Sequence, residues 1–480
     1  GDAIPVVAVG DDDQSIYGWR GAKIENIQRF TQDFMGTQTV RLEQNYRSTK
    51  TILDAANGVI SHNAGRLGKD LWTDGEDGEP IKLYSGFNEQ DEARFIVEQI
   101  QSWTDEGNPR KSSAILYRSN AQSRVIEEAL IRVGLPYRIY GGQRFYERLE
   151  IRNALAYMRL IIGRGDDPAL ERIINTPTRG IGSKTVDDLR AIARDNNVSM
   201  WQAMGLAQQN GLLGSRARSS LAGFAALINE LDSETVELPL EEMVEHVIHR
   251  TGLIEFHKAE KGERGQARVE NLEELVSAAK TFRAEDDSLS PLQQFLDSAA
   301  LDAGDSQADP YEDSVQMMTL HSAKGLEFPL VILAGLEENL FPHRMSVEEP
   351  GRLEEERRLA YVGITRAQQR LLITYAESRR LHGSETYNTP SRFVREIPAD
   401  LIEEVRLHGG LTRPLADRLQ QPVAASNDSG LSLGQRVTHP MFGEGMVLNI
   451  EGRGANARIE VNFAEGSKWL VLQYANLQAL

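Results

Sequence analysis

Residues 10–22, GDDDQSIYGWRGA, combine two kinds of side chain that suit different ligands. Three consecutive aspartates repel nucleic acid and could hold a metal ion, whereas Tyr17, Trp19 and Arg20 are types that attract bases and phosphates. Stacking of one base on an aromatic ring contributes about 1–3 kcal/mol. Gln14, between the two groups, suits the sensing of a phosphate or a water better than proton transfer. The alternative is that both rings simply pack between domains.

A second stretch, RLEQNYRST, places Tyr46 beside Arg47. A flat ring next to a guanidinium suits an adenine face and a phosphate, respectively. Adjacent Tyr-Arg pairs are also common on protein surfaces, so this stretch alone favours neither interpretation.

Two further stretches carry charged residues close to predicted strands. In TLHSAKGLEF, a strand ends in a turn that could face a phosphate, and Glu327 could accept a hydrogen bond from a ribose hydroxyl. In EEERRLAYVGITRA, Arg366 near a helix end could reach a nucleotide at a domain boundary, as arginine fingers do. The alternatives are an ordinary turn with a solvated lysine and a solvated helix face.

The elements that must position these residues are those of an α/β fold. The apolar run IPVVAVG predicts a strand buried at the centre of a parallel sheet, and the amphipathic run AKIENIQRFTQDF predicts the helix after it. TQTVRLEQNYRST repeats this strand pattern before a helix in KTILDAANGVISHN. Further strands are predicted in IKLYSG, SAILYR, YRIYGG, VQMMTLHSAKGLEF, PLVILAG and QRLLITYA.

Between these two groups of strands the pattern is helical, from about Gln143 to Leu296. In IRNALAYMRLII, for example, Ile151, Leu155, Met158 and Ile162 recur on one helix face. The simplest arrangement is a helical domain inserted into an α/β domain, whose sheet is therefore split in sequence.

The C-terminal part has a different composition. Residues 409–430 are rich in proline, glycine and small polar residues and predict a linker. Beyond it, short alternating runs separated by glycine turns predict a small β-barrel in residues 431–480.

Composition limits the class of protein. The chain has 480 residues, enough for several domains, and no cysteine, which excludes disulfides, thiolate zinc sites and iron–sulfur clusters. There is no run of 18 apolar residues, so we expect a cytoplasmic protein without a membrane partner. The net charge of −18 argues against a protein that coats nucleic acid nonspecifically, but it allows a local basic channel.

In their order along the chain and in their residues, these stretches resemble the motifs of superfamily 1 DNA helicases of the UvrD/Rep/PcrA type. The resemblance extends over nearly the whole chain and includes LYRSNAQSR, YGGQRFYER, NTPTRGIG and RLEEERRLAYVGITRA. It implies two RecA-like, P-loop-type motor domains that sandwich ATP, an inserted all-helical domain and a Tudor-like barrel. The implied ranges are 1–43 for the end of the first motor domain, 44–140 and 314–408 for the second, 141–313 for the insertion, 409–430 for the linker and 431–480 for the barrel.

The resemblance also implies roles at the nucleotide. Gln14 would couple the γ-phosphate to DNA, and Tyr46 would stack on adenine. Arg47 and Arg366 would contact the γ-phosphate, while Glu327 would hold the ribose. The acids and Gln14 of the first stretch would then face the nucleotide.

Other residues would contact DNA by the same resemblance. Tyr17, Trp19 and Arg20 would meet the single strand, Arg118 and Thr319 would touch its backbone, and His321 would link the DNA and nucleotide sites. The loop from Thr176 to Gly182 resembles a helix-hairpin-helix-like loop, whose backbone amides approach duplex phosphates. The residues implied there are Thr178, Arg179, Gly180 and Gly182.

The main departure from the family is that no G-x-x-x-x-G-K-[ST] segment occurs, and the acidic motif with the magnesium ligands and the catalytic glutamate is also missing. In the family both lie before the stretch that opens this chain. We therefore expect preceding sequence, and magnesium ligands outside these residues. The hypothesis is an ATP-dependent 3′–5′ helicase of DNA repair and replication, of which this part does not hydrolyse ATP alone.

Two alternatives remain at this stage. The chain could be a non-catalytic DNA-binding or regulatory fragment, or part of a helicase-nuclease, although no nuclease domain follows the barrel. Expected partners are single-stranded DNA and its junctions with duplex, mismatch- or excision-repair proteins, and RNA polymerase through the barrel. A purely stabilising role for the barrel is equally compatible with the sequence.

Overall fold

The computed structural model describes residues 6–405, except 261, 287, 305–311, 350 and 382–383. In the C-terminal part it describes 436–439, 443–451, 458–463, 466–471, 475 and 477–479. The chain divides into two units, residues 1–415 and 416–480. The predicted linker, 409–430, lies outside the described residues.

A seven-stranded parallel sheet organises the first unit. Its strands are β1 (Ile81–Gly86), β2 (Ser113–Tyr117), β3 (Tyr137–Ile139), β4 (Val315–Thr319), β5 (Phe328–Leu333), β6 (Ala367–Ala376) and β9 (Ile402–Val405), in the order β3-β4-β2-β5-β6-β1-β9. Strands from both sides of the helical segment therefore form one sheet. A short antiparallel hairpin of β7 (Ser378–Leu381) and β8 (Ser384–Tyr387) follows β6. Every residue of β2 is buried, as expected for a central parallel strand.

Helices cover both faces of this sheet. The helices outside the central helical segment are α1 (Glu25–Asp33), α2 (Lys50–Ile60), α3 (Glu89–Asp105), α4 (Ser123–Arg132), α14 (Arg344–Glu348), α15 (Arg352–Ile364) and α16 (Arg392–Arg395). Apolar residues of α2 and α15 form one core with one sheet face, and those of α3 and α4 form a second core with the other face. Parallel strands require this double covering because both of their faces are apolar.

The segment between β3 and β4 is helical, as the periodicity predicts. Its helices are α5 (Leu149–Ile162), α6 (Asp167–Ile173), α7 (Ser183–Asn196), α8 (Met200–Gln209), α9 (Ser215–Thr235), α10 (Leu240–Arg250), α11 (Leu253–Lys258), α12 (Glu263–Thr281) and α13 (Pro291–Gly304). They share a hydrophobic core of their own. On α5, Ile151, Leu155 and Met158 are buried as predicted, but Ile162, the last helical residue, is exposed. None of the helices in the described residues has the length and apolar character that a membrane crossing requires.

Two predicted strands are wrong within the described residues. Residues 6–10 are irregular, and Val7 is 87% exposed; residues 39–43 are also irregular, and Val40 is 80% exposed. A strand is stable only when a neighbouring strand pairs with its backbone. No strand of the described residues pairs with either segment.

The described residues of the second unit form one antiparallel sheet. Its strands are β10 (Arg436–His439), β11 (Gly443–Glu451), β12 (Arg458–Phe463), β13 (Gly466–Val471) and β14 (Gln478–Ala479), in the order β13-β12-β11-β10-β14. Val437, Val447 and Val461 are buried in it. The alternating sequence pattern thus predicts the strands, while their closure into a barrel stays a prediction.

Candidate nucleotide and nucleic-acid site

Three predicted site residues that are far apart in sequence meet at one end of the parallel sheet. Arg47, just before α2, forms an ion pair through Nε with Glu327, just before β5. Its Nη1 lies 3.4 Å from the carbonyl oxygen of Thr365, where α15 ends, and Arg366 follows directly. The fold therefore brings together the two arginines and the carboxylate that the sequence singles out.

Arg366 is a buried guanidinium that is satisfied only by neutral oxygens. It is 2% exposed, and it donates to the carbonyl oxygens of Val362 at 3.0 Å and Leu326 at 2.9 Å and to the hydroxyl of Thr365 at 3.1 Å. No carboxylate of the described residues forms an ion pair with it. Burial, and then the positive charge of Arg47, lower its pKa to about 10. A buried charge without a counter-charge is costly, so this position favours a bound anion.

Tyr46 presents an open ring next to these charges. It is 86% exposed, yet its hydroxyl donates to Gln44 Oε1 at 2.8 Å. The side chain of Gln44 in turn donates to Asp74 at 2.8 Å. The ring is therefore anchored at its polar end and free on its faces, which is the arrangement that stacking on a base requires.

The acidic residues of the opening loop are paired with basic residues that follow α2. Asp13 forms a two-pronged pair with Arg66, with both contacts at 2.8 Å, and Asp11 pairs with Lys69 at 2.5 Å. Gln14 donates to the Asp11 carboxylate at 2.6 Å. Basic residues after α2 therefore neutralise these acids, although the charge of Asp11 also acts on Arg366. That the acids face the nucleotide stays a prediction. The three aspartates are close enough together for a metal ion, but their pairing with these cations does not fit a magnesium site.

Residues of the same loop and of the loop after β4 form a cationic and aromatic surface. The Tyr17 hydroxyl donates to the carbonyl oxygen of His321 at 3.2 Å, and Arg20 and Lys324 lie 5.4 and 5.3 Å from the Tyr17 ring centre. Lys324 Nζ also donates to the carbonyl oxygen of Gln14 at 2.8 Å. These contacts join the predicted DNA residues to the predicted phosphate sensor. Trp19 belongs to a short 3-10 helix, Gly18–Arg20, but its side chain lies outside the described residues.

Arg118 directly follows β2, and Thr319 is the last residue of β4. These two strands are neighbours in the sheet. Arg118 donates through Nε and Nη2 to both carboxylate oxygens of Glu356, and the shortest contact is 2.8 Å. Burial lowers the pKa of Arg118, but the Glu356 charge outweighs it and the net pKa is raised. The Thr319 hydroxyl lies 3.0 Å from that of Ser322. Both residues that are predicted to contact the DNA backbone therefore lie at the carboxyl ends of neighbouring strands.

His321 sits between these groups as a neutral imidazole. Burial, and then the positive charge of Arg118, lower its pKa to about 4. At neutral pH it therefore links the two loops through packing and hydrogen bonding without adding charge.

This shift makes the pH dependence of stability testable. Because the pKa of His321 falls from 6.5 to about 4 on folding, only the unfolded chain takes up this proton between those values. We expect the free energy of unfolding to fall more steeply in wild type than in His321→Gln as pH drops from about 6.5 to 4. Urea unfolding at several pH values measures this. His62→Gln, at an exposed histidine, should behave like wild type; equal slopes in wild type and His321→Gln would contradict the assignment.

In the loop from Thr176 to Gly182, the side chain of Arg179 has partners within the helical segment. The Arg179 guanidinium donates to the Tyr157 hydroxyl at 2.6 Å and to the carbonyl oxygen of Pro177 at 3.0 Å, so it points into the helical segment. Its side chain therefore anchors the loop, and its contact with DNA stays a prediction. Thr178 is exposed, and Gly180 has a φ of 75° that favours glycine.

Gly182 occupies the position before the first residue of α7, where backbone amides lack helical partners. The backbone of this loop therefore still fits a phosphate contact.

Sequence reasoning missed the partners that hold these residues. Glu356 is one of three consecutive glutamates, and nothing in their spacing distinguishes the one that binds Arg118. Arg66 and Lys69 lie in a glycine-containing loop without a recognisable pattern. The only available signal was the need of a buried acidic loop for counter-charges.

Comparison with known proteins agrees with this arrangement. The family described as UvrD-like helicase C-terminal domain matches residues 40–378, and the UvrD/REP helicase N-terminal domain matches residues 2–35. The chain belongs to the UvrD-like family of ATP-dependent DNA helicases.

Sequence identity to individual proteins shows which members of the family this chain resembles more. DNA helicase II of Escherichia coli K12 is 57% identical over 100% of this chain and 67% of its own length. DNA helicase II of Haemophilus influenzae is 54% identical over 98% of this chain and 66% of its own length. ATP-dependent DNA helicase PcrA of Staphylococcus aureus is 40% identical, with the same coverage. The chain thus spans about two thirds of the length of these relatives and is more similar to the two proteins named DNA helicase II.

Proposed function

We propose that this chain supplies the arginine side of an ATP site, and part of a single-stranded DNA track, to a helicase that moves 3′ to 5′ and separates duplex DNA. The observation that carries the proposal is Arg366, a buried guanidinium that forms no ion pair with any carboxylate of the described residues and lies beside Arg47 and the open ring of Tyr46. The family membership supports the direction of movement and a role in DNA repair and replication.

In this proposal the nucleotide lies across the Arg47 cluster. Tyr46 stacks on adenine, Arg47 and Arg366 contact the γ-phosphate, and Glu327 exchanges its contact with Arg47 for a ribose hydroxyl. Phosphoryl transfer depends mainly on positioning and charge stabilisation, so two guanidinium groups suffice for this side of the site. Magnesium binds through residues other than the paired aspartates of the opening loop.

DNA binding is coupled to the nucleotide through one loop. Gln14 senses the γ-phosphate, while Tyr17, Trp19 and Arg20 meet the strand a few residues later. The hydrogen bond from Lys324 to the carbonyl oxygen of Gln14 supports a mechanical connection between the two. Arg118, Thr319 and His321 extend the track, and the backbone at Thr178, Gly180 and Gly182 contacts the duplex.

The domain assignment follows the family. Residues 1–43 end a first RecA-like motor domain, 44–140 and 314–408 form the second, and 141–313 are an inserted helical domain with a helix-hairpin-helix-like loop. Residues 431–480 form a Tudor-like barrel that contacts repair proteins or RNA polymerase. The protein acts in the cytoplasm, at the nucleoid.

One experiment separates this proposal from a non-catalytic DNA-binding fragment. The chain contains the arginines but no G-x-x-x-x-G-K-[ST] segment, so we expect the 480 residues alone to bind oligothymidylate without DNA-stimulated phosphate release. Joined to a relative's complete N-terminal domain, they should hydrolyse ATP. Rapid turnover by the 480 residues alone would refute the division of the site. Failure of the joined protein to hydrolyse ATP would favour the non-catalytic alternative.

A further inference from the structure

Glu356 on α15 is the centre of a buried polar cluster. Its carboxylate accepts from Arg118, from the backbone amide of His343 at 3.1 Å and from the Ser346 hydroxyl at 3.2 Å. Burial raises its pKa, but Arg118 and the other donors outweigh it and the net pKa is lowered. This carboxylate is therefore charged at neutral pH and fully occupied.

The same cluster continues into the helical segment. The His343 ring Nε2 lies 3.3 Å from a carboxylate oxygen of Glu270 on α12, and the Ser119 hydroxyl donates to the other oxygen at 2.6 Å. Ser119 directly follows Arg118 in the chain. Two routes thus connect Arg118 with α12, one through Glu356 and His343 and one through the neighbouring serine.

Further contacts join α12 of the helical segment to residues of the domain that contains the seven-stranded sheet. Arg124 on α4 pairs with Glu274 at 2.6 Å. Arg148, just before α5, donates both to Asn271 on α12 and to the carbonyl oxygen of Asn120, just before α4, each at 2.9 Å.

The carboxylates of Glu270, Glu274 and Glu356 are buried, whereas Arg118, Ser119 and His343 are partly buried. The contacts of the buried carboxylates are therefore little screened by salt. A shift of Arg118 or Glu356 is therefore transmitted to the buried carboxylate of Glu270 on α12 through the hydrogen bonds of Ser119 and the ring of His343.

We propose that Glu356 is a positioning residue that orients Arg118 toward a DNA phosphate and, through His343, ties this contact to the docking of α12. The inference rests on the proposed DNA track and adds to it a connection with the helical segment. Arg118 uses Nε and Nη2 on Glu356, whereas its Nη1 donates no hydrogen bond among the described residues. This third nitrogen can bind a phosphate oxygen while the pair with Glu356 stays intact.

A double-mutant cycle tests the positioning role. We expect Arg118→Ala to lower the affinity of the chain for oligothymidylate about tenfold, as for loss of a charge-assisted hydrogen bond, and to reduce the salt slope by about 0.7. Glu356→Gln should lower affinity about 3- to 10-fold, but it should have no further effect when Arg118 is already alanine. Fluorescence anisotropy at several salt concentrations measures both quantities.

The control is a matched pair on the same helix. Arg357, the next residue, pairs with Glu396 through two contacts of 2.8 Å, and its hydrogen bonds among the described residues do not reach α12. Glu396→Gln should leave DNA affinity unchanged. Additive losses in the double variant, or tighter binding by Glu356→Gln, would overturn the positioning role, because Glu356 would then act independently of Arg118 or only repel the phosphate.

His343→Ala tests the link to α12, because it keeps the backbone amide that Glu356 accepts from and removes only the ring near Glu270. In wild type, we expect oligothymidylate to change the hydrogen exchange of the α12 amides; in His343→Ala this change should be lost while DNA still binds. An equal change in both proteins, or none in wild type despite DNA binding, would overturn the link alone. No binding by wild type would instead refute the proposed DNA track.

Discussion

Arg366→Ala should lower the DNA-stimulated kcat for ATP hydrolysis about a thousandfold when the 480 residues follow a complete N-terminal motor domain. Arg366 has no carboxylate partner among the described residues, so its charge is available to the γ-phosphate in the transition state. The affinity for single-stranded DNA should change less than about twofold, because the predicted DNA residues lie on other loops. Phosphate release and fluorescence anisotropy measure the two effects separately.

Arg370→Ala is the matched control for this prediction. Arg370 lies four residues further along the chain, on β6, but it pairs with Glu79 at 2.9 Å and Glu106 at 2.7 Å. Its replacement should leave turnover close to wild type. A parallel loss of turnover and DNA binding in Arg366→Ala would show that the residue supports the fold rather than the phosphate.

The second large effect is expected at Arg379, which holds two buried carboxylates. On β7 it makes two-pronged contacts with Glu337, the shortest 2.6 Å, and pairs with Glu92 on α3. Burial lowers its pKa, but the two carboxylates raise it well above the usual value. Arg379→Met should lower the free energy of unfolding by about 3–5 kcal/mol, because Glu92 and Glu337 would stay buried without a counter-charge.

Urea unfolding measures this loss, and a partly exposed pair provides the comparison. Arg392 pairs with Glu338 at 2.9 Å, but more than a third of its side chain is exposed. Arg392→Met should cost less than about 1 kcal/mol. Equal losses in the two variants would mean that the buried cluster relaxes or admits water. A large loss only at Arg379 would establish that this cluster anchors the β7–β8 hairpin to α3.

Local patterns in the sequence were sufficient for most elements. The strands at β1, β2, β4, β5 and β6 and the helical segment between β3 and β4 follow from the apolar periodicity of short windows. The same reasoning failed at residues 6–10, an apolar run, and at residues 39–43, where apolar and polar residues alternate, because no strand of the described residues pairs with either. Periodicity reports which face a residue prefers, but pairing requires a second backbone.

The sequence by itself was sufficient to select the candidate site residues, because the motifs around Tyr46, Arg47, Glu327 and Arg366 combine an aromatic ring, two guanidinium groups and a carboxylate that suit a nucleotide. Only the tertiary structure decided how their charges are compensated. Arg47 meets Glu327 across 280 positions, and Arg118 meets Glu356 across 238. It also left Arg366 without an ion pair among the described residues and gave Arg179 partners within the helical segment. The reason is physical: a charge acts on what lies within a few ångströms of it, and long-range folding brings those neighbours together.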